Sequence, residues 1–538
     1  MTDATHDGVS GGWSPERSAA GRHNPYLIAF VVSIATFMEV LDTTIANVAL
    51  RYIAGDLGVG IDESTYVITS YLVANAIALS ISGWLSTVIG RKRFYMICVA
   101  TFAFASLLCG FAWSLQVLVL FRVLQGLGGG GMATSEQAIL ADSFPPAKRG
   151  QAFAIYGIAV VVAPVVGPTL GGWISDTYSW HWVFLINVPM GLISLFLVGT
   201  LVNVPSGAEE ERRRLLRNGI RIDFVGFVLV AVGLGSLEYV LDEGQRNDWF
   251  GSDLIVGFAL AAAFCLIALV IWELARDDPI IDIRLLCRRQ FGACFLCMLG
   301  TGAIVIATTQ ILPQLLQSEL NYTAMLAGLV LSPGGIVTMI MMPVTGKLIG
   351  VVQPRYLIMT GAAIAALSMW HLTGLTGDIS YGYAALSRIY LAVGLPLLFL
   401  PVTTASYEGV PPDKTNQASA LINVARNLGG SMGVALAQTI LAQRQQFHQS
   451  RLIEHIAPSD IGYQQTVDTM TRFFQAQGSN ASDAASQAVA WVGQTLQHQI
   501  DLLAYIDVFR SLAIIGAVMI PIALTLKSID LGATARGH

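Results

Sequence analysis

Charged residues are scarce in this sequence. Only 12% of its 538 residues are Asp, Glu, Lys or Arg, whereas soluble domains carry roughly 25%. Hydrophobic residues make up 54% of the chain and the mean hydropathy is +0.62, a composition that cannot cover the surface of large soluble domains. Apolar runs of about 20 residues recur along the chain, each long enough to cross about 30 Å of hydrocarbon. The sequence therefore predicts a membrane protein.

Cysteine is also scarce, and the chain lacks the motifs of several enzyme classes. The six cysteines lie in apolar runs or in a predicted cytosolic loop, so no disulfide framework is expected. Cys294 and Cys297 form a CxxC inside an apolar helix, where small membrane residues are favoured over redox or metal chemistry. The sequence shows no Walker A loop, nucleophile motif or metal cluster, which argues against a membrane-embedded enzyme and against ATP. No cofactor is expected.

The apolar runs predict an all-α membrane protein with fourteen transmembrane helices, uncertain by several residues at each end. Residues 1–25 are polar and contain no cleavable signal peptide, so the first run is expected to remain as an anchor. The predicted helices are 26–49, 64–86, 94–113, 115–138, 151–174, 182–203, 223–241, 252–273, 291–313, 323–349, 356–374, 381–405, 417–441 and 507–527.

The distribution of Lys and Arg predicts the orientation. If the N-terminus is cytoplasmic, the inner loops hold most of the basic residues, including the run 91–93, and the short outer loops hold only Arg51 and Arg246. Positive charge on short loops marks the cytoplasmic side. We therefore expect both termini in the cytoplasm. The basic patches follow from topology and do not indicate nucleic-acid binding.

The first half of the chain recurs in the second half at a constant offset. Arg122 corresponds to Arg388, and the small residues Ala163, Gly167 and Gly171 correspond to Gly429, Gly433 and Ala437. A parallel repeat of this kind is a transporter architecture with its substrate site near the midplane. We predict a cytoplasmic tail (1–25), a six-helix bundle (26–203), linkers with two extra helices (204–290) and a second six-helix bundle (291–528) that includes an outer loop (442–506).

Three charged residues lie at bilayer depth, where each costs about 2.5–3.5 kcal/mol on insertion scales. Glu39 and Asp42 are three residues apart and therefore share a face of the first helix, and Arg122 lies on the fourth. Burial raises the pKa of a carboxyl group and a neighbouring arginine lowers it, so a movement between the two can exchange a proton. A static ion pair that orients the helices is the alternative. Nearer the helix ends, snorkelling or loop contacts are expected for Glu136, Arg388, Glu408 and Arg426.

The fifth predicted helix combines prolines with a stripe of small residues. Pro164 and Pro168 remove backbone donors and predict a bend. Glycines spaced by four residues allow a second helix to approach closely. The members of this motif are Gly157, Pro164, Gly167, Pro168, Gly171 and Gly172.

Several segments together resemble the EmrB-type branch of the major facilitator superfamily. Residues 37–49 resemble the first-helix motif of its fourteen-span members, and Arg122-x-x-Gln125-Gly126 resembles the fourth-helix motif. Pro164 to Gly172 resembles the antiporter signature of drug:proton exporters, and residues 180–191 and 241–250 also fit. The match covers nearly the whole chain. One departure is Thr87, which stands where the loop motif usually has Asp, so a charge-relay gate at that position is not expected.

The resemblance implies the major facilitator fold and a proton-driven antiporter without a cofactor. It implies proton transfer at Arg122, with Asp42 and Glu39 as the coupled carboxyl groups, and a fifth-helix motif that closes the pathway on the outer side. It also implies a periplasmic adaptor of the EmrA type and a TolC-like outer-membrane channel as partners. Candidate substrate-binding residues are Phe37, Asn47, Gln125, Gln137 and Gln310.

The outer loop 442–506 contains an amphipathic pattern. Its apolar residues fall at three- and four-residue spacing on a predicted helix: Val489, Val492, Leu496, Ile500 and Leu503. This face packs either against a second helix predicted at 463–477 or against another protein.

The sequence thus favours an exporter of hydrophobic or amphipathic compounds driven by proton entry. The alternative within this class is an exporter of one endogenous metabolite, such as a fatty acid or siderophore, that works without a tripartite assembly. An importer of sugars or metabolites is disfavoured by the paired prolines and Asp42. A non-transporting scaffold is disfavoured by the buried charges.

Overall fold

We describe the fold from a computed structural model. The residues that it describes are 24–144, 148–202, 223–276, 279, 281–376, 379–411, 414–454, 456 and 459–528. The N-terminal tail up to residue 23 and the linker at 203–222 lie outside these ranges. Within them every regular element is a helix and no strand occurs.

The helices of the first half follow the predicted spans, with two of the spans interrupted. The fourth span breaks at Gly130 and the sixth at Ile186. The helices are α1 (Pro25–Leu57), α2 (Ile61–Ser64), α3 (Tyr66–Ile89), α4 (Arg91–Cys109), α5 (Leu115–Gly129), α6 (Met132–Ser143), α7 (Arg149–Thr177), α8 (His181–Leu185) and α9 (Asn187–Leu201).

The remaining helices comprise the extra pair and the second half. They are α10 (Phe224–Glu243), α11 (Asp253–Leu274), α12 (Arg289–Ser318), α13 (Ala324–Leu348), α14 (Pro354–His371), α15 (Tyr381–Ser406), α16 (Thr415–Ile453), α17 (Ile461–Ala476) and α18 (Ala481–Leu524). Short 3₁₀ helices occupy Trp249–Gly251, Ile283–Leu285 and Leu372–Gly374.

The described helices account for fourteen spans. Twelve segments are long and apolar enough to cross a membrane, and α7 is another that bends by 44° between Pro164 and Val166. The paired prolines predict this bend because each removes a backbone donor. The remaining span, which completes the fourteen, is α16. Its outer part is polar, but it packs against α12, α18 and α3 inside the bundle.

Equivalent helices of the two halves pack through equivalent small residues. On α7, a Cβ added to Gly167 would lie 2.1 Å from the Thr44 hydroxyl oxygen of α1. On α16, a Cβ added to Gly433 would lie 2.6 Å from the Cα atom of Ala303 on α12. Gly167 and Gly433 are related by the sequence repeat, so the repeated stripes serve the same close packing in both halves.

The outer segment is more helical than predicted. Helices α16 and α18 run on without a break beyond their predicted spans at 441 and 507, and α17 packs against α18. The predicted apolar face is only partly available, because Ile500 is buried whereas Val489 is 49% exposed. Packing within the segment therefore accounts for part of this face.

We expect Gly167→Ala to destabilise the protein. The new methyl group would also lie 2.7 Å from the Cβ atom of Thr44, so rotation of the threonine hydroxyl cannot relieve the overlap. Overpacking of this kind costs about 1–3 kcal/mol. The matched control is Gly257→Ala on α11, where an added Cβ meets nothing within 4 Å. The thermal unfolding midpoint in detergent should fall for Gly167→Ala and not for Gly257→Ala; equal midpoints would show that α7 does not need a glycine here.

Candidate functional site

A cluster of glycines brings α5 unusually close to α3. A Cβ added to Gly126 would lie 2.5 Å from the Tyr71 carbonyl oxygen, and one added to Gly130 would lie 2.4 Å from the Asn75 carbonyl oxygen. Only glycine allows two backbones to approach this closely. The approach places Arg122, one turn earlier on α5, against the backbone of α3, where its Nε donates to the Val67 carbonyl at 3.0 Å.

Arg122 and Asp42 form an ion pair that is fully enclosed. The Arg122 Nη1 atom lies 2.5 Å from the Asp42 Oδ2 atom, and both side chains are 0% exposed. The second carboxylate oxygen of Asp42 accepts from Gln125 Nε2 at 3.0 Å and from Asn187 Nδ2 at 2.6 Å. The same two amides reach the Ser106 hydroxyl oxygen at 3.1 and 3.0 Å. We name these five residues the ion-pair cluster.

Two polar atoms of the ion-pair cluster lack a hydrogen-bond partner. The Arg122 Nη2 atom and the Asn187 Oδ1 atom are buried with no hydrogen-bond partner. The guanidinium instead lies over the ring of Tyr71, 4.3 Å from its centre, which is a favourable cation–π distance. An unpartnered buried donor is costly. The hydrogen bonds of Arg122 are therefore not all satisfied in this arrangement, and they can rearrange when the charge of Asp42 changes.

A cavity of about 1380 Å³ lies between the two halves. Its lining comes from α1, α3 and α7 of the first half, from α12, α13, α15 and α16 of the second half, and from α10. It reaches the end of the bundle where α1, α7 and α12 end, marked by Tyr52, Asp176 and Ser318. We name this the open end and the opposite one the closed end. Tyr71 lines the cavity and also contacts Arg122, so it connects the cavity with the ion-pair cluster.

Glu39 lies in the cavity wall, separate from the ion-pair cluster. It is 8% exposed, its Oε1 atom accepts from Asn75 Nδ2 at 3.1 Å, and its Oε2 atom is buried without a partner. Asn75 Nδ2 also lies 3.3 Å from the Tyr71 hydroxyl, and Asn75 Oδ1 accepts from Asn427 of the second half at 3.3 Å. The two acids of α1 therefore have different surroundings: Asp42 is enclosed and Glu39 faces the cavity.

Uncharged side chains join the halves at the closed end. Gln137 Oε1 accepts from Asn423 Nδ2 at 3.0 Å and from the Ser419 hydroxyl at 3.2 Å. Thr87, which stands in place of the expected acid, accepts from Asn416 Nδ2 at 2.9 Å. These contacts hold the bundle shut on the side opposite the open end.

Two charged residues expected to snorkel are in the interior. Glu136 is 0% exposed and accepts from Ser33 at 2.6 Å and from Thr36, both on α1. Arg426 lines the cavity and donates to the Tyr156 hydroxyl at 2.8 Å. The helix-end interpretation is therefore wrong for these two, because α1 and α7 supply hydroxyl groups at that depth.

The arginine equivalent to Arg122 in the second half has a different role. Arg388 donates to the Thr308 hydroxyl at 3.2 Å and makes no ion pair within the part of the chain that the structure describes. Glu408 is exposed after the end of α15, as its loop position predicts. Only the first half therefore carries the buried ion pair.

The structure separates the five candidate substrate-binding residues. Asn47 and Gln310 line the cavity. Phe37 packs against the apolar core of the first half, Gln125 belongs to the ion-pair cluster and Gln137 joins the halves at the closed end. None of these three lines the cavity, contrary to the prediction. Residue type alone does not tell which side of a helix faces the cavity.

The fifth-helix motif also divides by position. Pro164, Pro168 and Gly172 line the cavity. Gly167 and Gly171 pack against Thr44 and Ile45 of α1, and Gly157 packs against Met342 of α13. The motif therefore forms both a wall of the cavity and the contacts that hold that wall.

Three further polar residues of the site are not singled out by the sequence. Ser106 and Asn75 are ordinary small polar residues in apolar helices. Asn75 donates to the Glu39 carboxylate, and Ser106 accepts from the two amides that hold Asp42. Asn187 lies in the 180–191 segment, which belongs to the family resemblance. That resemblance does not show that Asn187 donates to Asp42.

Comparison with known proteins supports the architecture. The family model of the Major Facilitator Superfamily matches residues 32–434. The multidrug export protein EmrB of Haemophilus influenzae is 39% identical over 80% of this chain and 83% of its own length. EmrB of Escherichia coli K12 is 36% identical over 90% and 91%. The fatty acid resistance protein FarB of Neisseria gonorrhoeae is 35% identical over 93% and 96%.

Solved structures share the fold at low sequence identity. The proton:xylose symporter XylE matches with a TM-score of 0.59 at 14% identity, over 95% of this chain and 98% of that one. The human organic anion transporter MFSD10 matches with a TM-score of 0.57 at 13% identity, over 93% and 100%. The fold and the cavity between halves define a membrane transporter, not an enzyme. The chain belongs to the major facilitator superfamily and, within it, to the EmrB type of multidrug export proteins.

We expect Arg122→Ala to destabilise the protein strongly, because it leaves Asp42 buried with only amide donors. Breaking a buried pair from one side costs about 3–5 kcal/mol. Adding Asp42→Asn should recover part of the loss, since no charge then remains. Arg388→Ala is the control, as it removes one hydrogen bond to Thr308. Thermal unfolding of the purified variants measures the effect, and a double variant no more stable than Arg122→Ala would contradict the pairing.

Proposed function

We propose that the protein exports hydrophobic or amphipathic compounds across the inner membrane in exchange for protons. The observation that carries the proposal is the enclosed Asp42–Arg122 pair, one aromatic ring away from a cavity between the halves. A titratable group in this position can respond to the cavity without being exposed to it. The multidrug export relatives support the direction of transport.

The coupling step follows from the contacts of Asp42. The ionised carboxylate accepts hydrogen bonds from Arg122, Gln125 and Asn187. A proton on Asp42 removes its charge and adds an O–H donor, so the contact with Arg122 loses its charge assistance and weakens. The guanidinium can then shift against the ring of Tyr71, which lines the cavity, and so change the cavity wall. Substrate binding at that wall and proton binding at Asp42 would in this way oppose each other.

The available driving force is sufficient. A proton moving through 100 mV gains about 2.3 kcal/mol. At about 1.4 kcal/mol per tenfold ratio, this supports roughly a fifty-fold gradient of a neutral compound. No other energy source is needed for export of this kind.

The orientation follows from the basic residues. The closed end carries Arg91, Lys92, Arg93 and Lys148, whereas the open end carries Arg51 and Arg246. By the positive-inside rule the closed end faces the cytoplasm, and the structure is then the form that is open to the outside. The described ends of the chain support this placement, because Tyr26 donates to Gln151 and the Lys527 amide donates to Gln290, both at the starts of closed-end helices.

The substrates are proposed to be a range of compounds. The cavity wall includes Val160, Val161 and Phe399 as well as polar groups, which suits molecules with an apolar body. A second candidate is export of fatty acids, favoured by the similarity to the fatty acid resistance protein FarB. Efflux of dyes and of medium-chain fatty acids from the same pump-deleted cells would separate the two.

We further propose that the outer helices bind a periplasmic adaptor of the EmrA type, which in turn joins a TolC-like channel. The outer parts of α16 and α18 with α17 present exposed apolar side chains, among them Phe473 at 50% and Trp491 at 38%. Exposed apolar groups on a water-facing segment indicate a binding surface. The assembly would carry substrates past the outer membrane.

Asp42→Asn is expected to abolish proton-driven export while the protein still inserts, because Asn keeps the shape and cannot exchange a proton. It should lower the stability, since Arg122 keeps its buried charge without the carboxylate. The measurement is uptake of a fluorescent substrate into inside-out proteoliposomes with an imposed pH gradient. Glu39→Gln should have a smaller effect, since Glu39 lies outside the ion-pair cluster. Asp253→Asn, exposed at the start of α11, is the control. Export by Asp42→Asn with an undiminished response to the gradient would contradict the proposal.

Adaptor binding should depend on the exposed residues of the outer segment. The double change of Phe473 and Val489 to Ser should lower capture of the adaptor and cellular resistance, and should leave exchange in adaptor-free liposomes intact. Gln465 and Gln475 changed to Ser, also exposed on α17, form the control. Ile500 is unsuitable because it is buried. Lost exchange in liposomes with normal capture would assign the segment to the transport pathway instead.

A further inference from the structure

The extra helix pair is not peripheral, because α10 reaches the cavity. It packs against α3 of the first half and against α16 of the second. A Cβ added to Gly235 would lie 3.1 Å from the side chain of Ile77 on α3, which shows how closely the helices meet. In contrast, α11 is largely exposed on its apolar surface. One helix of the pair thus enters the seam between the halves.

The helix α10 brings a buried carboxylate into the cavity wall. Glu238 lines the cavity, is 5% exposed and accepts a hydrogen bond from the Ser431 hydroxyl of α16. Among the described residues, no Lys or Arg lies within ion-pair distance of it. An uncompensated carboxylate at this depth is costly. Glutamine would accept the hydrogen bond from Ser431 equally well, so this contact does not account for the charge of Glu238. The charge indicates a partner that binds in the cavity.

A second observation points to the same space. Glu39, on the other side of Asn75, has a buried carboxylate oxygen with no partner. The two acids are connected by side chains that line the cavity, since Asn427 donates to Asn75 at 3.3 Å and Asn75 donates to Glu39 at 3.1 Å. Ser431, one turn after Asn427, then meets Glu238. The cavity therefore has acids at both ends of a polar chain.

The other charged residues of the wall have hydrogen-bond or ion-pair partners, apart from Arg51, which is exposed at the open end. Asp242 accepts from Thr69, Arg246 pairs with Glu243 at 3.2 Å, Asp176 accepts from Tyr52, and Arg426 donates to Tyr156 at 2.8 Å. Among the described residues, Glu39 and Glu238 accept hydrogen bonds from neutral donors only. The positive charge of Arg426 also acts on Glu39 from the same wall, so Glu238 is the less compensated of the two acids. The wall also offers apolar groups such as Phe399. A cation with an apolar body satisfies these features together.

We propose that Glu238 of the extra helix pair, with Glu39 opposite, forms a cavity subsite for the positively charged group of amphipathic organic cations. The proposal rests on the export function above and adds one substrate class and one helix to it. The extra pair is then a part of the binding site, contributed from outside the two six-helix bundles.

The test compares two ligands with the same aryl body. Methyltriphenylphosphonium is a cation and triphenylphosphine oxide is neutral; binding of each to the purified full-length protein in detergent is measured by calorimetry. Glu238→Gln keeps the size and the acceptor for Ser431 and removes the charge. We expect its Kd for the cation to rise about tenfold, equivalent to about 1.4 kcal/mol, and its Kd for the neutral ligand to stay unchanged. Asp253→Asn removes an exposed acid of α11 and should change neither value.

Each other outcome overturns the subsite. An equal loss for both ligands would mean that Glu238 shapes the cavity only, and an unchanged Kd for the cation would mean that its charge is not used. Normal cation binding with fewer protons exchanged per substrate would make Glu238 a proton site instead. A wild-type protein that does not bind the cation would exclude this substrate class. The exchange proposal is judged separately, by whether wild-type export responds to a pH gradient at all.

Discussion

The enclosed ion pair between Asp42 and Arg122 is the constraint on which the rest of the site depends. Two charges without access to water are tolerated only when nearly every lone pair and proton is used. That requirement explains why α3, α4, α5 and α9 all converge on α1, each with a polar group for the pair or its amides. It also explains the glycines of α5, because larger residues would hold α3 too far away for Val67 to accept from Arg122.

The closed end of the bundle is held by hydrogen bonds between side chains of the two halves. Amide and hydroxyl side chains join the halves at the closed end, including Thr87 with Asn416. Neutral hydrogen bonds contribute about 0.5–1.5 kcal/mol each, and their groups are readily satisfied by water once separated. Thr87 adds one such neutral hydrogen bond at the position where the loop motif usually has Asp.

Much of the fold could be predicted from the sequence, and less of the site. The spans follow from hydropathy, and the bend of α7 and the close packing at Gly167 follow from proline and glycine chemistry. The rotation of each helix about its axis is harder to predict from the sequence. Gln125 and Gln137 are therefore predicted to bind substrate, whereas the first donates to Asp42 and the second joins the halves. Glu238 could not be predicted as a site residue because nothing local shows that an extra helix enters the seam. Helices in the outer loop are predicted, but their continuity with α16 and α18 is not, because alanine and glutamine favour a helix without marking where it joins a span.

The central claim is that Asp42 carries the proton exchanged for substrate. The most direct measurement is the release of protons into weakly buffered solution when a substrate binds to the purified protein, followed with a pH-sensitive dye. The account predicts release from the wild-type protein, and none from Asp42→Asn at a substrate concentration that still saturates it. The same release from both proteins would contradict the account and place the exchanged proton on another group.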